Sequence, residues 1–293
     1  MKNKITASKK IAKNESLLQI TIKSLWKNPV AMFGLIALLI LILGAILAPV
    51  IAPYGYEDMD ATAINSAPSM QHLFGTDTLG RDIFSRLLYG SKYSLFLGLV
   101  CSLLGVILST IIGFIAGYFG GNVDNVIMRC CDIIQAIPGI LIAIVLCTAF
   151  GDGYFNTIMA MTLGGVAPGV RMARSLVMSE RTNEYVEAAK SINCSTARIM
   201  FYHMLINVSP MLIVNFTMGI GSIIMLSSQL SFIGLGIQPP TPEWGAMLSA
   251  GRATFRNYPW QIVFPGIFIF ITVLAINLFG DGLRDALDPK MKK

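Results

Sequence analysis

Long stretches without an ionisable side chain dominate the pattern of polar and apolar positions along this chain. A helix needs about 20 mostly apolar residues to cross the hydrocarbon core of a bilayer, and backbone polar groups in lipid must be satisfied within the segment. The pattern therefore predicts an all-α, polytopic integral membrane protein with six transmembrane helices. The six uncharged runs are 30–51, 93–118, 133–150, 154–170, 207–242 and 257–280.

Two of these runs depart from a simple crossing. Run 154–170 is the weakest, because two glycines and Pro168 interrupt it, and proline removes a helical hydrogen bond. Run 207–242 is longer than one crossing requires, so we expect its second half to be a loop. The Gly-Asp-Gly sequence at 151–153 predicts a tight turn between the third and fourth runs.

Composition and charge support a membrane location. The chain has 293 residues, 54% hydrophobic and 13% charged, against about 25% charged in soluble domains. Of the 22 Lys and Arg residues, 17 lie in four alternate segments. Because cytoplasmic loops are enriched in Lys and Arg, both termini should be cytoplasmic. The net charge of +6 then reflects topology rather than nucleic-acid binding. The four segments are 1–29, 119–132, 171–206 and 281–293.

The first apolar run is predicted to remain in the protein as a membrane anchor. A cleaved signal has an apolar region of about 7–15 residues that ends at a small-residue cleavage site. Here 22 apolar residues follow a basic arm of 29 residues. The chain should therefore cross a membrane several times, and the resemblance described below implies that this is the bacterial cytoplasmic membrane.

The sequence carries no pattern typical of catalysis, cofactor binding or metal binding. It has no phosphate-binding loop of the G-x-x-x-x-G-K-[ST] type, no C-x-x-C among its five cysteines, and no hydrolase constellation. Its two histidines, His72 and His203, each stand alone in the sequence. We predict that the chain is not an enzyme and binds neither cofactor nor metal.

Polar residues inside the spans are candidates for the translocation path. No Asp, Glu, Lys, Arg or His falls inside any of the six runs, and intramembrane ionisable groups mark ion-coupled carriers. Energy for transport would therefore have to come from another protein. Gln229 and Asn277 are the remaining pore candidates, although hydrogen bonding between helices is the favoured role for both.

The segment 171–206 contains a short helical pattern on the expected cytoplasmic side. Thr182 or Asn183 can cap its start, where Glu184 also suits the helix dipole. Two interpretations stay open: a helix lying on lipid, or a helix whose small side chains let a partner protein approach. The apolar stripe consists of Tyr185, Ala188, Ala189 and Ile192, at positions i, i+3, i+4 and i+7.

Two outer segments are predicted to be ordered loops. Glycine and aspartate residues punctuate 72–82, and these residues favour defined turns. Residues 82–93 then have the pattern of a short amphipathic helix that leads into the second crossing. Three prolines within 239–242 exclude a helix there.

Six motifs in order resemble one family over about residues 20 to 290. The sequence EYVEAAKSI at 184–192 resembles the EAA loop of ABC importer permeases. The others resemble the second permease subunit of dipeptide, oligopeptide and nickel importers. They are FGTDTLGRD at 74–82, GYFGGNVD at 117–124, LSFIGLG at 230–236, PPTPEWG at 239–245 and NLFGDGLRDALDP at 277–289.

The resemblance implies a MetI-like permease fold, with a large outer loop after the first crossing and a cytoplasmic coupling helix. It also implies the partners: a sister permease that completes a heterodimeric pore, two cytoplasmic ATP-binding subunits, and an extracytoplasmic substrate-binding lipoprotein. The coupling helix would dock in a groove of one ATPase. Its implied coupling residues are Arg181, Glu184, Tyr185, Glu187, Ala188, Ala189, Ile192 and Asn193.

Three positions depart from the family pattern. Asn193 replaces a glycine, but asparagine tolerates the left-handed conformation better than most residues, so the turn after the coupling helix should survive. Ile206 stands where a proline is usual. Ser227 replaces a membrane glutamate, which makes it a third pore candidate and a possible influence on substrate type.

The resemblance divides the chain into three parts and narrows the substrate. The parts are 1–92 (arm, first crossing and outer loop), 93–285 (five-helix core with the coupling loop 171–206) and 286–293 (cytoplasmic tail). Dipeptides or oligopeptides are the favoured substrate. Nickel or a metal–opine chelate is the alternative.

Overall fold

The computed structural model describes residues 17–151 and 153–287. Within these ranges the regular elements are helices, together with one isolated β-bridge between Thr76 and Asp82. The helices are α1 (Leu17–Lys27), α2 (Pro29–Ile51), α3 (Ile83–Phe119), α4 (Gly121–Gln135), α5 (Gly139–Phe150), α6 (Tyr154–Glu180), α7 (Glu184–Ser191), α8 (Thr196–Arg198), a π-helical turn (Ile199–Met204), α9 (Leu205–Phe232), α10 (Trp244–Gly251) and α11 (Trp260–Leu287).

The all-α prediction is confirmed for the described residues, whereas the number of crossings stays a prediction. Four helical stretches are long and apolar enough to cross a membrane: α2, α3, α11 and the stretch from α8 through α9. The bent pair α4 and α5 brings the number to five if it counts as one span. The 27-residue helix α6 is long enough to cross a membrane, but its last part, 171–180, is polar, and α6 is not one of these four stretches.

The third uncharged run is not one straight helix. The axes of α4 and α5 differ by 89° at a break of three residues, 136–138. Pro138 explains the break, because it has no N–H to donate and its ring pushes Ile137 away from helical geometry. The prediction of one helix over 133–150 was therefore wrong in its bounds.

The fourth and fifth runs also have different bounds from those expected. Pro168 lies inside α6 without ending it, and the helix continues ten residues beyond the uncharged run to Glu180. The helix α9 reaches Phe232, so only the last ten residues of run 207–242 form a loop rather than its whole second half. Lateral packing against α3 compensates for the glycines and proline that made the fourth run look weak.

The structure supports the predicted turn at 151–153 but not a separate helix over 82–93. Gly151 and Gly153 have positive φ angles of 77° and 135°, as a tight turn requires, while Asp152 lies outside the described residues. The expected amphipathic helix over 82–93 is not separate from the second crossing. It is the first part of the 37-residue helix α3, which begins where Asp82 accepts a hydrogen bond from the backbone N–H of Ser85 at 2.7 Å.

One end of the helix bundle is covered by segment 52–82, and we call it the loop end. The beginnings of α6 and α11 lie here: the Tyr154 hydroxyl donates to the carbonyl of Tyr93 at 2.9 Å, and the Trp260 indole donates to the carbonyl of Thr76 at 3.3 Å. The segment after α9 lies here too, because the Trp244 indole donates to a carbonyl near the beginning of α3.

The other end of the bundle carries α7, and we call it the α7 end. The end of α3 lies here, with the Lys190 ammonium 5.8 Å from the centre of the Tyr118 ring. The beginning of α2 meets the end of α11, where a Cβ on Gly282 would come 2.2 Å from Cβ of Ala31. The helices α2, α3, α6, α9 and α11 therefore each run between the two ends.

Small residues let these helices approach closely. A Cβ on Gly113 of α3 would lie 2.6 Å from Cβ of Ala173 on α6. At the loop end, a Cβ on Gly90 would lie 1.9 Å from the carbonyl oxygen of Pro242. In lipid, such backbone contact is a main source of helix association, so α3 is the central helix against which α6, α9 and the proline-rich loop pack.

Candidate functional site

The short helix α7 is joined to α6 by a network around one carboxylate. Both the Asn183 amide (2.9 Å) and the Tyr185 hydroxyl donate to Oε2 of Glu180, the last residue of α6. Asn183 holds the N-cap position, but its side chain makes no capping hydrogen bond. The Thr182 hydroxyl bonds back to the carbonyl of Ser179 instead. The network therefore sets the angle at which α7 leaves α6.

One face of α7 belongs to the chain's own core. Val186 is fully buried and Ala189 is 6% exposed. Both pack in a cluster with Phe114 of α3, Val177 of α6 and Met204 of the π-helical turn. Burying these apolar side chains holds α7 against three other elements. Any movement of α7 is thus transmitted directly to the bundle.

The opposite face of α7 is open. Glu184, Glu187 and Ala188 are exposed, and Ile192 just beyond the helix is 76% exposed. An isoleucine with this much exposure beside an alanine is an apolar surface that a partner can cover. The exposed face therefore combines two acidic side chains with a small apolar patch formed by Ala188 and Ile192.

The structure divides the stripe that the sequence predicted. Ala188 and Ile192 are on the open face, whereas Ala189 is in the core and Tyr185 is half-buried beside it. Sequence reasoning missed Val186, although its spacing of three from Ala189 was the available signal. Because both faces of α7 carry alanine, the sequence alone did not indicate which one the chain itself buries.

The turn after α7 has the geometry of a Schellman motif. Asn193 has a φ angle of 59°, and its N–H donates to the carbonyl of Lys190 at 2.9 Å. The N–H of Cys194 donates to the carbonyl of Ala189 at 3.0 Å. This pair of bonds satisfies the last carbonyls of a helix. The prediction that asparagine can make the turn in place of glycine is confirmed.

Two ion pairs beside α7 join α4 to α6. The Arg174 guanidinium forms two hydrogen bonds to the Asp124 carboxylate. Arg171 pairs with Asp132 on the next turns of the same two helices. Arg181, predicted as a coupling residue, caps the end of α6 and is exposed. These ion pairs keep the bent element α4 in place next to the start of α7.

Two of the three pore candidates share a groove. It has a volume of about 770 Å³ and runs between α9, α10 and α11. Gln229 and Asn277 lie in its wall together with Ser228, and the rest of the lining is apolar. Ser227 is not part of it: the side chain is 2% exposed, and its hydroxyl is buried without a hydrogen-bond partner.

A second cavity, of about 260 Å³, lies among α3, α6 and α9. Sequence reasoning did not identify it, because its polar atoms come from scattered hydroxyls and one amide on three helices. Its polar lining residues are Ser102, Ser109, Thr162, Asn215 and Ser222.

The loop end contains buried charged and titratable groups. His72 is not alone, contrary to the sequence-based expectation: its Nδ1 lies 3.0 Å from Oδ1 of Asp82, and its ring stacks on Tyr54 at 5.0 Å. Glu243 is 1% exposed and accepts a hydrogen bond from the backbone N–H of Ala246. Burial raises the pKa of its carboxyl group. These groups hold the outer loop and α10 on the bundle.

His203 differs from His72. Its Nε2 is buried without a hydrogen-bond partner, and its ring meets Tyr202 edge-to-face at 5.2 Å. Among residues 17–151 and 153–287, no three His, Cys, Asp or Glu side chains come together in a way that could hold a metal ion.

A matched pair of substitutions separates the two faces of α7. We expect Ala189→Leu to destabilise the protein by about 1–3 kcal/mol, because the larger side chain overpacks the core. Ala188→Leu adds the same atoms to the open face and should leave stability within about 0.5 kcal/mol. Thermal unfolding in detergent measures both. Equal losses of stability would contradict the assignment of the faces.

Comparison with known proteins gives concordant matches. Residues 109–293 match the family model described as binding-protein-dependent transport system inner membrane component. Residues 16–68 match the N-terminal TM domain of oligopeptide transport permease C.

Individual relatives match over nearly the whole chain. The dipeptide transport system permease protein DppC of Alkalihalophilus pseudofirmus is 43% identical over 270 residues, which cover 92% of this chain and 89% of that protein. The glutathione transport system permease proteins GsiD of Escherichia coli and Shigella boydii are each 45% identical over 267 residues, 91% of this chain and 88% of theirs.

Proposed function

We propose a function for this chain from one premise: the chain belongs to the family of binding-protein-dependent transport system inner membrane components. It is a permease subunit of an ABC importer, similar to DppC and OppC, and it is not an enzyme. In our proposal it forms part of a pore that moves dipeptides or oligopeptides across the bacterial cytoplasmic membrane. Separate ATPase subunits drive the movement.

The observation that carries the proposal is the two-faced helix α7. One face is packed into the core through Val186 and Ala189, and the other presents Glu187, Ala188 and Ile192 to solvent. A helix that only lies on lipid has no need of a separate rigid link to three other elements. We propose that α7 is the cytoplasmic coupling helix and that its open face docks in a groove of one ATPase.

The link to the core gives this docking a mechanical consequence. When nucleotide binding draws the two ATPases together, each docked α7 moves as a rigid body with the ends of α3 and α6. Domain motion of this kind switches between two packed arrangements rather than deforming one continuously. The inward- and outward-open states of the pore are then the two arrangements.

We propose six crossings with both termini in the cytoplasm. The crossings are α2, α3, the bent pair α4–α5, α6, α9 and α11. Contacts at the two ends of the bundle support this topology: α4 begins at the α7 end and α5 ends at the loop end, so the six crossings alternate in direction along the chain. The loop end then faces outward, and the α7 end, near which most Lys and Arg residues fall, faces the cytoplasm.

The proposed partners follow from the family and from the open surfaces. They are a sister permease in a heterodimer, two cytoplasmic ATP-binding subunits, and an extracytoplasmic substrate-binding lipoprotein. The groove that contains Gln229 and Asn277 is the surface we assign to the pore side. The parts 1–92, 93–285 and 286–293 would serve as anchor with outer loop, permease core and tail; residues 288–293 of the tail lie outside the described residues.

The relatives favour a peptide substrate over nickel or a metal chelate. Two of the related permeases belong by name to a dipeptide and a glutathione transport system, and glutathione is itself a small peptide. The groove lining also offers two amide side chains, Gln229 and Asn277, rather than the imidazole ligands that suit nickel.

Reconstitution tests the proposed function. The chain, its sister permease, both ATPases and the binding protein in vesicles should import a radiolabelled dipeptide only when ATP is present on the ATPase side. Glutathione, nickel ion and a nickel chelate form the other arms of the same assay. ATP-independent accumulation against a gradient by the two permeases alone would contradict the proposed function. Uptake of nickel but not of peptide would show that nickel, rather than a peptide, is the substrate.

A further inference from the structure

A groove at the loop end of the bundle has a lining unlike that of the proposed pore. It has a volume of about 490 Å³ and lies between the end of α2 and the beginning of α3. Its floor on α2 is apolar, and its wall on α3 carries two tyrosines and one lysine. The lining residues are Ala45, Ile46, Pro49, Tyr56, Tyr89, Lys92 and Tyr93.

The spacing of these residues makes the groove a continuous surface. Tyr89, Lys92 and Tyr93 are at i, i+3 and i+4 of α3, which places them on one helix face. The floor residues on α2 likewise span one helical turn. The groove is therefore built by two regular elements and does not depend on a loose loop.

The outer rim of the groove is fixed in position. The ring of Tyr56 contacts that of Tyr89 at a tilt of 56°, with ring centres 5.4 Å apart. The Tyr56 carbonyl accepts a hydrogen bond of 2.6 Å from the Arg86 guanidinium, which is itself buried. Next to it, the backbone N–H of Tyr54 donates to Oγ of Ser85 at 3.2 Å. The cavity is thus preformed.

The charge in the groove is unbalanced. Lys92 is exposed, and across the part of the chain that the structure describes, no salt bridge joins it to an acid. The Glu57 carboxylate interacts with Tyr56 at the rim. An uncompensated ammonium beside phenol hydroxyls suits an anionic group that accepts several hydrogen bonds.

The surroundings of the groove are apolar. Ile46 is 67% exposed and Val50 is 82% exposed on the adjoining turns of α2. Lys92 is the last charged residue before the uncharged part of α3. Tyrosine and lysine are typical of the level at which a bilayer changes from hydrocarbon to headgroups. The ligand therefore has an apolar part continuous with the bilayer and an anionic head.

We propose that this groove binds a phospholipid with an anionic headgroup, its phosphate on Lys92 and the tyrosine hydroxyls and its acyl chains along α2. Placement in the outer leaflet rests on the topology given under Proposed function. The site goes beyond transport itself: it joins the anchor helix α2 to the central helix α3 through a lipid.

Native mass spectrometry of the complete transporter tests the site. The assembly is purified from membranes that contain equal amounts of phosphatidylglycerol and phosphatidylethanolamine, and the retained lipids are weighed. We expect the wild type to retain phosphatidylglycerol selectively and Lys92→Gln to bind it roughly fivefold more weakly, the effect of one basic residue at a charged membrane surface. Lys92→Arg should retain the lipid.

A matched control removes a positive charge elsewhere at the same end. Arg256 is exposed in the turn before α11 and does not line the groove, so Arg256→Gln should leave lipid retention unchanged. Equal retention by wild type and Lys92→Gln would overturn the site. So would an equal loss of both lipids, which would indicate an apolar contact without headgroup recognition.

A photoreactive benzoylphenylalanine in place of Tyr89 distinguishes a lipid from a protein occupant. Attachment to phosphatidylglycerol is the expected result, and attachment to the sister permease would overturn the proposal. ATP-driven uptake measured on the same preparations keeps the two proposals apart. Lipid selectivity without uptake in the wild type would contradict only the transport function, and uptake without lipid selectivity would contradict only the site.

Discussion

Replacing Glu187 by lysine is expected to abolish ATP-driven uptake while leaving the amount of protein in the membrane unchanged. Glu187 is exposed on the open face of α7, next to Ala188, and makes no contribution to the core cluster. The substitution therefore spares folding and reverses the charge on the proposed docking surface. A misplaced charge in a protein interface costs about 2–5 kcal/mol, which lowers the affinity at least thirtyfold.

Two further variants make this prediction specific. Glu187→Gln removes the charge without reversing it and should reduce uptake only partly. Asp285→Lys reverses an exposed charge on α11, outside α7, and should leave most of the uptake intact. Co-purification of the ATPases with each variant measures docking directly. Normal uptake and normal ATPase binding by Glu187→Lys would show that the open face of α7 is not the coupling surface.

Replacing Trp244 by alanine should destabilise the assembled permease more than any other single change considered. The indole is fully buried, donates a hydrogen bond of 3.1 Å to the carbonyl of Leu87, and packs edge-to-face on Phe268. Truncating a buried tryptophan costs about 3–5 kcal/mol, since the removed ring leaves a cavity. The melting temperature of the purified complex should fall accordingly.

The chain offers a close control for this substitution. Trp26 of α1 is 70% exposed, so Trp26→Ala removes the same side chain without creating a cavity. Trp244→Phe should lie in between, because it keeps most of the packing and loses a hydrogen bond worth about 1 kcal/mol. Indistinguishable melting temperatures for Trp244→Ala and Trp26→Ala would mean that the segment after α9 is not anchored on α3 through this ring.

The proposed lipid site, α7 and Trp244 all contact α3. The tryptophan holds the proline-rich loop and α10 on the beginning of α3. The cluster around Val186 holds α7 near the end of the same helix. Because α3 runs between both ends, both attachments lie on one continuous 37-residue helix.

Much of the fold could be predicted from the sequence because membrane helices obey a strong local rule. A long uncharged run in lipid can satisfy its backbone only as a helix, so α2, α3, α9 and α11 follow from composition. Their ends do not: α3 begins ten residues before its uncharged run, and α9 continues to Phe232. The turn after α7 was also predictable, since it depends on the conformation available to Asn193 alone. The family resemblance likewise rested on linear motifs.

Contacts between distant parts of the chain were not predictable in this way. Ala188 and Ala189 are adjacent and chemically identical, yet only Ala189 is buried by α3 and α6. The pairing of His72 with Asp82 required the loop to fold back on itself. Gln229 and Asn277, 48 positions apart, line one groove only because α9 and α11 lie side by side.

The sequence by itself determined that this chain is helical and lies in a membrane, and its linear motifs placed it with importer permeases. Hydrogen-bond satisfaction and charge exclusion act on each segment separately, so helicity and membrane location can be derived without knowing the neighbouring segments. Only the tertiary structure decided which face of α7 is open, where the third run bends and which polar groups share a groove. Those outcomes depend on the surfaces that other segments present. A side chain is buried only when a second segment packs against it, so burial cannot be derived from one segment alone.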